Sequence, residues 1–340
     1  MKALLCYSID DFRLEDMAKP SISDSDILIE MLYCGLCGSD IVKIFDTSFR
    51  KPAIYGHEIV GKVVEVGKKV DEFSEGDIVV ASHHIPCGTC HFCKHGNYTM
   101  CDKFKSTNIV PGGFCQYIKL SSDHIENTTF TIPEDMNLLE AVFIEPLACC
   151  LRAMDSISCL EGDIVSVVGA GVIGILFVKL IKLSKLRALV IDLDDDRLSM
   201  AKKLGADYTF NPKKEFASEK IRDISPIGLD AAILTVTNPQ TLSDALSYIR
   251  PGGQIVIFGM GIENKPISVD FNRIYKNELI IKSSYSQTPE YVARAYGIIV
   301  NRQIDVTPLI SDAMPLADFK KGLDLMLDRK IYKAIYNGRF

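Results

Sequence analysis

The hydrophobic and polar positions follow two different rhythms along the chain, and the rhythm changes near residue 160. Between residues 24 and 120, short apolar runs alternate with glycines and polar turns, most clearly at residues 26–32, 61–67 and 76–80. Closely spaced runs of strand length, bounded by turn residues, predict a small β-barrel or β-sandwich in this part of the chain.

Beyond residue 160, apolar runs alternate with segments of helix length. Strands are predicted at residues 164–168, 188–191, 231–234 and 254–258, and helices at residues 172–183 and 197–204. Because each strand is largely apolar, we expect a parallel sheet covered by helices on both faces. The sequence therefore predicts an α/β protein in which a β-rich domain is followed by a doubly wound parallel sheet.

Length and charge narrow the classes of function. The chain has 340 residues, of which 47% are hydrophobic and 24% charged, and its net charge is −6. These are globular proportions, and an acidic surface gives no electrostatic attraction to nucleic acid or anionic membranes. No apolar run is long enough to span a bilayer, and the N-terminus lacks a signal-peptide core. We expect a cytoplasmic protein with neither a nucleic-acid nor a membrane partner.

The residue types that bind metals are concentrated in the first half of the chain. All eleven cysteines lie at or before Cys159, and all six histidines lie at or before His124. Eleven cysteines cannot all pair within one chain, so we expect reduced thiols, some of them metal ligands.

A glycine-rich turn in the second half has the pattern of a dinucleotide site. Gly169, Gly171 and Gly174 form G-x-G-x-x-G, which follows a predicted strand and opens a predicted helix. Gly169 permits the tight turn, Gly171 lets the backbone approach a pyrophosphate, and Gly174 lets the helix pack close to the sheet. The helix begins at Val172 and Ile173, where free N–H groups can bind the phosphates.

The acidic residues that follow favour NAD over NADP. Asp192 ends the next strand, 18 residues after Gly174. A carboxylate there accepts hydrogen bonds from the adenosine ribose and repels a 2′-phosphate, and the acids at residues 194–196 add to that repulsion. Arg197 either lies over the adenine ring or is a solvated helix residue.

Four cysteines have the spacing of a closed metal site. In a lobe of about residues 84–104, the pattern C-x2-C-x2-C-x7-C is formed by Cys87, Cys90, Cys93 and Cys101. Four thiolates can surround one tetrahedral zinc with no open position, as in a structural site. Disulfides and an iron–sulfur cluster are the alternatives, and zinc is preferred because a reducing compartment is expected and a dinucleotide motif follows in the same chain. His91 and His95 are interpreted as surface residues.

A second set of metal-binding residue types is scattered. Cys37, His57, Glu58 and Glu145 could supply the three protein ligands of a catalytic zinc, although no spacing rule links them. Cys34 forms C-x2-C with Cys37, but no thioredoxin-like pattern surrounds this pair, so Cys34 is interpreted as a buried small residue. Core positions are likewise expected for the other cysteines: Cys6, Cys115, Cys149, Cys150 and Cys159.

In this order, the motifs resemble the zinc-dependent medium-chain dehydrogenase/reductase family over essentially the whole chain. The motifs that carry the resemblance are residues 35–40, 56–58, the four-cysteine lobe, 112–114, 145–148, and the glycine turn with Asp192. His57-Glu58 followed by Glu145-Pro146 resembles the polyol branch, of the sorbitol and galactitol-1-phosphate dehydrogenase type. The family fold implies a GroES-like catalytic domain at residues 1–150, a Rossmann NAD-binding domain at 151–287, and a return to the catalytic domain at 288–340.

The resemblance also implies roles for individual residues. Cys37 and His57 match ligands of the catalytic zinc, while Glu58 and Glu145 match residues that ligate the zinc or hold its water. Ser39 matches the hydroxyl that relays the substrate proton. Further contacts with the cofactor are implied for Phe258, Gly259, Ser283 and Tyr285.

At two places the chain departs from the family. Val42 stands where many members have a histidine that passes the proton to solvent, so water or Glu145 is expected to substitute. Residues 283–285 lack the arginine that sorbitol-type enzymes place before the tyrosine, which argues against unphosphorylated sorbitol as the substrate.

The predicted activity is zinc-dependent, NAD-linked oxidation of a secondary alcohol of a polyol, sugar or sugar phosphate to a ketone by hydride transfer. A threonine or simple secondary-alcohol dehydrogenase of the same family is the alternative. A zinc-stabilised binding or regulatory protein without catalysis is disfavoured, because all four candidate ligands are present and Lys94 is the only permanent cation in residues 87–101. We expect one catalytic and one structural zinc per chain, a small-molecule substrate, and a homodimer or homotetramer.

Overall fold

The computed structural model describes residues 1–214, 217–259, 266 and 268–339, with the backbone alone at residues 217–219. The chain forms two compact units. The first comprises Met1–Ala148 and Gln287–Phe340, and the second is Cys149–Ser286. The first unit is therefore built from both ends of the chain, and the second from one continuous segment.

The elements are numbered in chain order. The strands are β1 (Lys2–Ser8), β2 (Asp11–Asp16), β3 (Ile27–Gly35), β4 (Glu58–Val66), β5 (Ile78–Ala81), β6 (Tyr117–Leu120), β7 (Phe130–Thr131), β8 (Ile164–Val168), β9 (Arg187–Ile191), β10 (Tyr208–Phe210), β11 (Leu229–Leu234), β12 (Ile249–Ile257), β13 (Ile280–Ser283), β14 (Met314–Pro315) and β15 (Ile335–Asn337).

The helices lie mostly between these strands. They are α1 (Gly38–Phe45), α2 (His91–Lys94), α3 (Asp102–Ser106), α4 (Ser122–Thr128), α5 (Leu138–Ala141), α6 (Ile144–Asp155), α7 (Val172–Leu183), α8 (Asp195–Lys203), α9 (Ala217–Ile224), α10 (Pro239–Tyr248), α11 (Phe271–Lys276), α12 (Pro289–Val300) and α13 (Phe319–Leu327), with 3₁₀ turns at Tyr98–Met100, Thr307–Leu309 and Leu316–Asp318. In the part of the chain that the structure describes, no helix has the length and apolar character needed to cross a bilayer.

The first unit is built on a mainly antiparallel sheet. Its strand order is β14-β15-β3-β4-β5-β7, with β6 also paired to β3, and β1 and β2 form a separate hairpin. The sheet encloses an aromatic cluster in which the ring centroids of Phe114, Phe319 and Tyr336 lie 5.0 to 5.6 Å apart. All three side chains are buried, so this cluster joins the C-terminal segment to the core of the N-terminal one. The β-rich first domain is therefore confirmed.

The second unit contains the predicted parallel sheet. Its six strands run in the order β10-β9-β8-β11-β12-β13, and every strand pair is parallel. This is the dinucleotide-binding strand order 3-2-1-4-5-6, in which the direction of winding reverses between β8 and β11. The strand predicted at residues 164–168 and the helix predicted at 172–183 have those bounds in the structure. Helix α8 begins two residues earlier than predicted because the Asp194 carboxylate accepts hydrogen bonds from the first free N–H groups.

Candidate metal centres and dinucleotide site

The four cysteines of the lobe converge on one point. The Sγ atom of Cys93 lies 3.9 Å from that of Cys87 and 3.5 Å from that of Cys90. All four sulfur atoms, including that of Cys101, lie within 4.8 Å of one another. A tetrahedral zinc with Zn–S bonds of about 2.3 Å separates its sulfurs by about 3.8 Å, so these positions fit one ion. All eleven cysteines are described, and none of them forms a disulfide with another.

The backbone of the lobe prepares these sulfurs for a metal. The Cys90 N–H donates to the Cys87 sulfur at 3.3 Å, and the Cys87 N–H donates to the Cys101 sulfur at 3.4 Å. Two hydrogen bonds from Thr89 lower the pKa of Cys87 to about 6, and the bond from the Thr89 backbone N–H has the larger effect. Thiolate is the form that binds zinc, so these hydrogen bonds favour the ligand state of Cys87, whereas burial raises the pKa of Cys93 to about 12.

Strand pairing brings together the second group of candidate metal ligands. In the antiparallel pair β3–β4, Gly35 lies opposite Glu58. Cys37 follows the end of β3 and His57 precedes β4, so the same register brings them together. Ligand atoms of Cys37, His57 and Glu58 lie within 4.8 Å of one another. Gly35 is required here, because a Cβ at that position would collide with the Glu58 carboxylate.

Asp40 orients the imidazole of His57. Its Oδ1 lies 3.2 Å from His57 Nδ1, and both side chains are buried. Since Nδ1 faces the carboxylate, Nε2 is the nitrogen that remains for a ligand. Burial alone would lower the pKa of His57, but the negative charges of Asp40 and Cys37 raise it well above its ordinary value. The same charges favour a metal cation in this position.

Glu58 is held by a lysine from the far end of the chain. The Lys333 ammonium donates to Glu58 Oε1 at 2.5 Å, and both residues are about 1% exposed. Burial alone would lower the pKa of Lys333, but the Glu58 carboxylate raises it above its ordinary value. The sequence analysis did not identify Lys333, because nothing in its sequence surroundings distinguishes this buried lysine, two residues before β15, from an exposed one.

Glu145 belongs to a different group from Glu58. Its carboxylate, at the start of α6, lies within 4.8 Å of ligand atoms of His57 and His83. The set of Cys37, His57 and Glu58 and the set of His57, His83 and Glu145 have His57 in common. The four predicted ligands, Cys37, His57, Glu58 and Glu145, do not all lie within 4.8 Å of one another. The His83 ring stands 4.4 Å from that of His57, and burial lowers the pKa of His83 well below its ordinary value. His83 was also missed, although it lies three residues after the strand predicted at residues 76–80.

The remaining predictions for the first unit have mixed outcomes. Ser39 is exposed on α1, two residues after Cys37, and half-buried Val42 is on the same helix. His91 and His95 are exposed, as predicted. Core positions are confirmed for Cys6, Cys34, Cys115 and Cys150, whereas Cys149 and Cys159 are only half-buried.

The glycine turn has the tight geometry that its sequence predicts. Gly169 has φ +106°, in the region that favours glycine, and a Cβ at Gly174 would collide with the Gly169 carbonyl oxygen. Asp192 Oδ2 accepts the Ala170 N–H at 2.7 Å, so the acid is tied to the turn itself. Arg197 is half-buried beside the turn, with its Nη1 3.4 Å from where a Cβ of Gly171 would stand.

The other predicted cofactor residues lie in the same unit. The Phe258 ring packs edge-on against Phe177 at 5.0 Å, and a Cβ at Gly259 would collide with the backbone of Thr235. Ser283 is exposed, and the side chain of Tyr285 is 58% exposed. Both therefore have surface that a ligand can contact.

Comparisons with known proteins agree with this geometry. Residues 23–132 match the alcohol dehydrogenase GroES-like domain, and residues 172–300 match the zinc-binding dehydrogenase family. The sorbitol dehydrogenase of Bacillus subtilis (strain 168) is 31% identical over 340 residues, covering 97% of this chain and 94% of its own.

Two solved structures are similar over nearly their whole length. Galactitol-1-phosphate dehydrogenase from Escherichia coli has a TM-score of 0.86 and 25% identity, covering 99% of this chain and 100% of its own. A zinc-binding dehydrogenase from Sinorhizobium meliloti 1021, bound to NADP, has a TM-score of 0.88 and 25% identity, with coverages of 99% and 98%.

Proposed function

The chain belongs to the zinc-binding dehydrogenase family with a GroES-like domain, and from this premise we propose that it oxidises a secondary alcohol of a polyol, sugar or sugar phosphate to a ketone, with NAD as hydride acceptor. The observation that carries the proposal is the convergence of Cys37, His57 and Glu58 in a chain that also has the glycine turn of a dinucleotide site.

The donor set suits a catalytic zinc. Cys37 supplies a thiolate, His57 an imidazole nitrogen, and Glu58 or Glu145 a carboxylate, which are the ligand types that zinc accepts. Three such ligands leave one position open for substrate, whereas the lobe of four cysteines has none. When bound, zinc acts as a Lewis acid on the alcohol oxygen, and NAD accepts the hydride.

Residues of this chain would control position and protons. Asp40 fixes the ring of His57 through Nδ1, and Lys333 holds the Glu58 carboxylate by charge and hydrogen bond. Ser39 is proposed to take the substrate proton. Because Val42 carries no titratable group, the proton would leave Ser39 through water or through Glu145.

NAD is proposed over NADP because of Asp192. This carboxylate already accepts the Ala170 N–H, so it is held where the ribose hydroxyls would meet it and where a 2′-phosphate would be repelled. Cofactor contacts are proposed at Gly169, Gly171 and Gly174, and also at Val172, Ile173, Arg197, Phe258, Gly259, Ser283 and Tyr285. Replacing Asp192 by serine, with a basic neighbour added, should shift the ratio of kcat/KM toward NADP. A wild-type enzyme that prefers NADP would contradict this assignment.

A substrate screen tests the reaction itself. Zinc-loaded protein is incubated with NAD and a panel of polyols, polyol phosphates, threonine and simple alcohols, and NADH formation is followed by the absorbance of the reduced nicotinamide. Oxidation of polyols or their phosphates at a secondary carbon is expected. Much faster turnover of primary alcohols such as ethanol than of every polyol tested would overturn the substrate class.

We also propose how the chain is organised and assembled. Residues 1–150 and 288–340 would form the catalytic domain and residues 151–287 the NAD-binding domain, in a cytoplasmic homodimer or homotetramer.

Support for an oligomer comes from β13, at the edge of its sheet within the described residues, where Ile280 is 49% exposed. On nearby α11, Phe271 and Tyr275 stack while 71% and 74% exposed. Sedimentation of the purified protein would distinguish monomer, dimer and tetramer.

A further inference from the structure

His83 has no assigned role, yet it lies at the proposed catalytic centre. It follows β5, and its side chain is more than nine-tenths buried. One of its ring nitrogens lies within 4.8 Å of ligand atoms of both His57 and Glu145. Its Nδ1 is buried and has no hydrogen-bond partner among the described residues.

The position of the ring is well defined. The ring of His83 packs against that of His57 at 4.4 Å and that of His84 at 3.9 Å. His84 is itself anchored, since its Nδ1 lies 2.6 Å from the Thr107 carbonyl oxygen. The His83 carbonyl accepts a hydrogen bond from His124 Nε2 at 3.2 Å. A polar atom held rigidly without a partner is the arrangement of a group that awaits a ligand.

A fourth protein ligand for zinc is the less satisfactory role. Cys37, His57 and one carboxylate already complete a catalytic set of three. A further imidazole on the metal would close the position that an alcohol must occupy, and the site would then resemble the structural lobe. The His83 ring instead adjoins His57 and Glu145 without being needed as a ligand, which leaves it next to the proposed metal position.

We infer that His83 is a specificity-determining residue that hydrogen-bonds a second hydroxyl of the substrate, next to the carbon that is oxidised. An imidazole nitrogen can donate to a hydroxyl or accept from it, so a vicinal diol would satisfy the buried Nδ1. A substrate without that hydroxyl would leave the nitrogen unpaired, and a site built for a hydroxyl discriminates strongly against such analogues. This inference rests on the proposed function and narrows its substrate to alcohols with a neighbouring hydroxyl.

The test compares two substrates and three proteins. The substrates are the best polyol from the screen and its deoxy analogue, which lacks the hydroxyl beside the reacting carbon. The proteins are wild type, His83→Phe, which retains a ring of similar size without nitrogen, and His91→Phe as the matched control on an exposed histidine. In His83→Phe, the ratio of kcat/KM for polyol over deoxy analogue should fall about 10- to 100-fold. His91→Phe should keep the wild-type ratio.

Two further readouts do not depend on turnover. Zinc content should stay at the wild-type value in His83→Phe, and the polyol should bind the zinc-loaded variant more weakly by calorimetry, with less change for the deoxy analogue. His83→Gln, which restores a polar group, should recover part of the discrimination. If His83→Phe does not fold, His83→Leu carries the same expectations.

Each contrary result has a distinct meaning. Loss of one zinc per chain in His83→Phe would make the residue a metal ligand and overturn the inference. Equal losses for both substrates, or an unchanged ratio, would overturn it in favour of a packing role. A wild-type enzyme that oxidises no secondary alcohol would instead overturn the proposed function, and this inference with it.

Discussion

The two metal-binding groups of this chain are assembled in opposite ways. The four sulfurs of the lobe come from residues 87–101 and are arranged by two short helices, α2 and α3. The second group draws on Cys37, His57 and Glu58, which the register of β3 with β4 brings together, and Glu145 at the start of α6 lies in an adjoining set that shares His57. A metal should therefore organise the lobe, whereas the sheet already organises the second group. The difference predicts that removing a ligand has different consequences at the two places.

The largest effect is expected on turnover at the second group. Cys37→Ser removes a thiolate that zinc needs, so activity should fall at least 1000-fold, or about 4 kcal/mol of transition-state stabilisation. Zinc content, measured by mass spectrometry, should fall from two ions to about one per chain, while the melting temperature changes little. Cys159→Ser, outside both groups, is the control. Wild-type turnover by Cys37→Ser would show that this group is not catalytic.

The largest loss of stability is expected when a cysteine of the four-cysteine lobe is replaced. Cys93→Ser removes a buried ligand, and a structural zinc contributes folding free energy because its ligands are disordered in the unfolded chain. We expect the melting temperature to drop by roughly 10 °C, at about 2–4 °C per kcal/mol, with activity retained until the protein unfolds. Cys159→Ser again serves as the control. If Cys93→Ser melted like wild type, the lobe would not depend on a metal.

A smaller effect, on stability, is expected when the lysine that holds Glu58 is replaced, and its size should depend on whether zinc is bound. Lys333→Met leaves the buried Glu58 carboxylate without its counter-charge, which should destabilise the zinc-free protein by about 3 kcal/mol. Bound zinc supplies positive charge near the same carboxylate, so the loss should be smaller in zinc-loaded protein. Melting of both forms is compared with Lys330→Met, whose exposed lysine pairs with Asp328 at 3.0 Å. An equal loss with and without zinc would separate Lys333 from the metal site.

The same contrast explains what could be predicted from the sequence. The lobe and the glycine turn were predicted because their residues are consecutive or nearly so, and one local conformation determines their geometry. Cys37 and His57 were candidate ligands by residue type alone, and only the family resemblance gave each of them a specific role. Lys333 and His83 gave no signal, because an ordinary lysine and an ordinary histidine become distinctive only when strand pairing buries them. Burial and long-range register are collective properties of the fold, and they leave no pattern at the positions concerned.

The pairing of β15 with β3 also has a consequence for biosynthesis. Tyr336 on β15 pairs with Cys34 on β3, and Lys333 reaches Glu58, 275 positions earlier in the chain. While the protein is being synthesised, the second unit can complete its sheet from one continuous segment. The first unit must wait until residues 333–337 have left the ribosome, because domains built from distant segments close late. During that interval the Glu58 carboxylate lacks the lysine that neutralises it, so a nascent chain is expected to acquire its dinucleotide-binding sheet before its second metal group is complete.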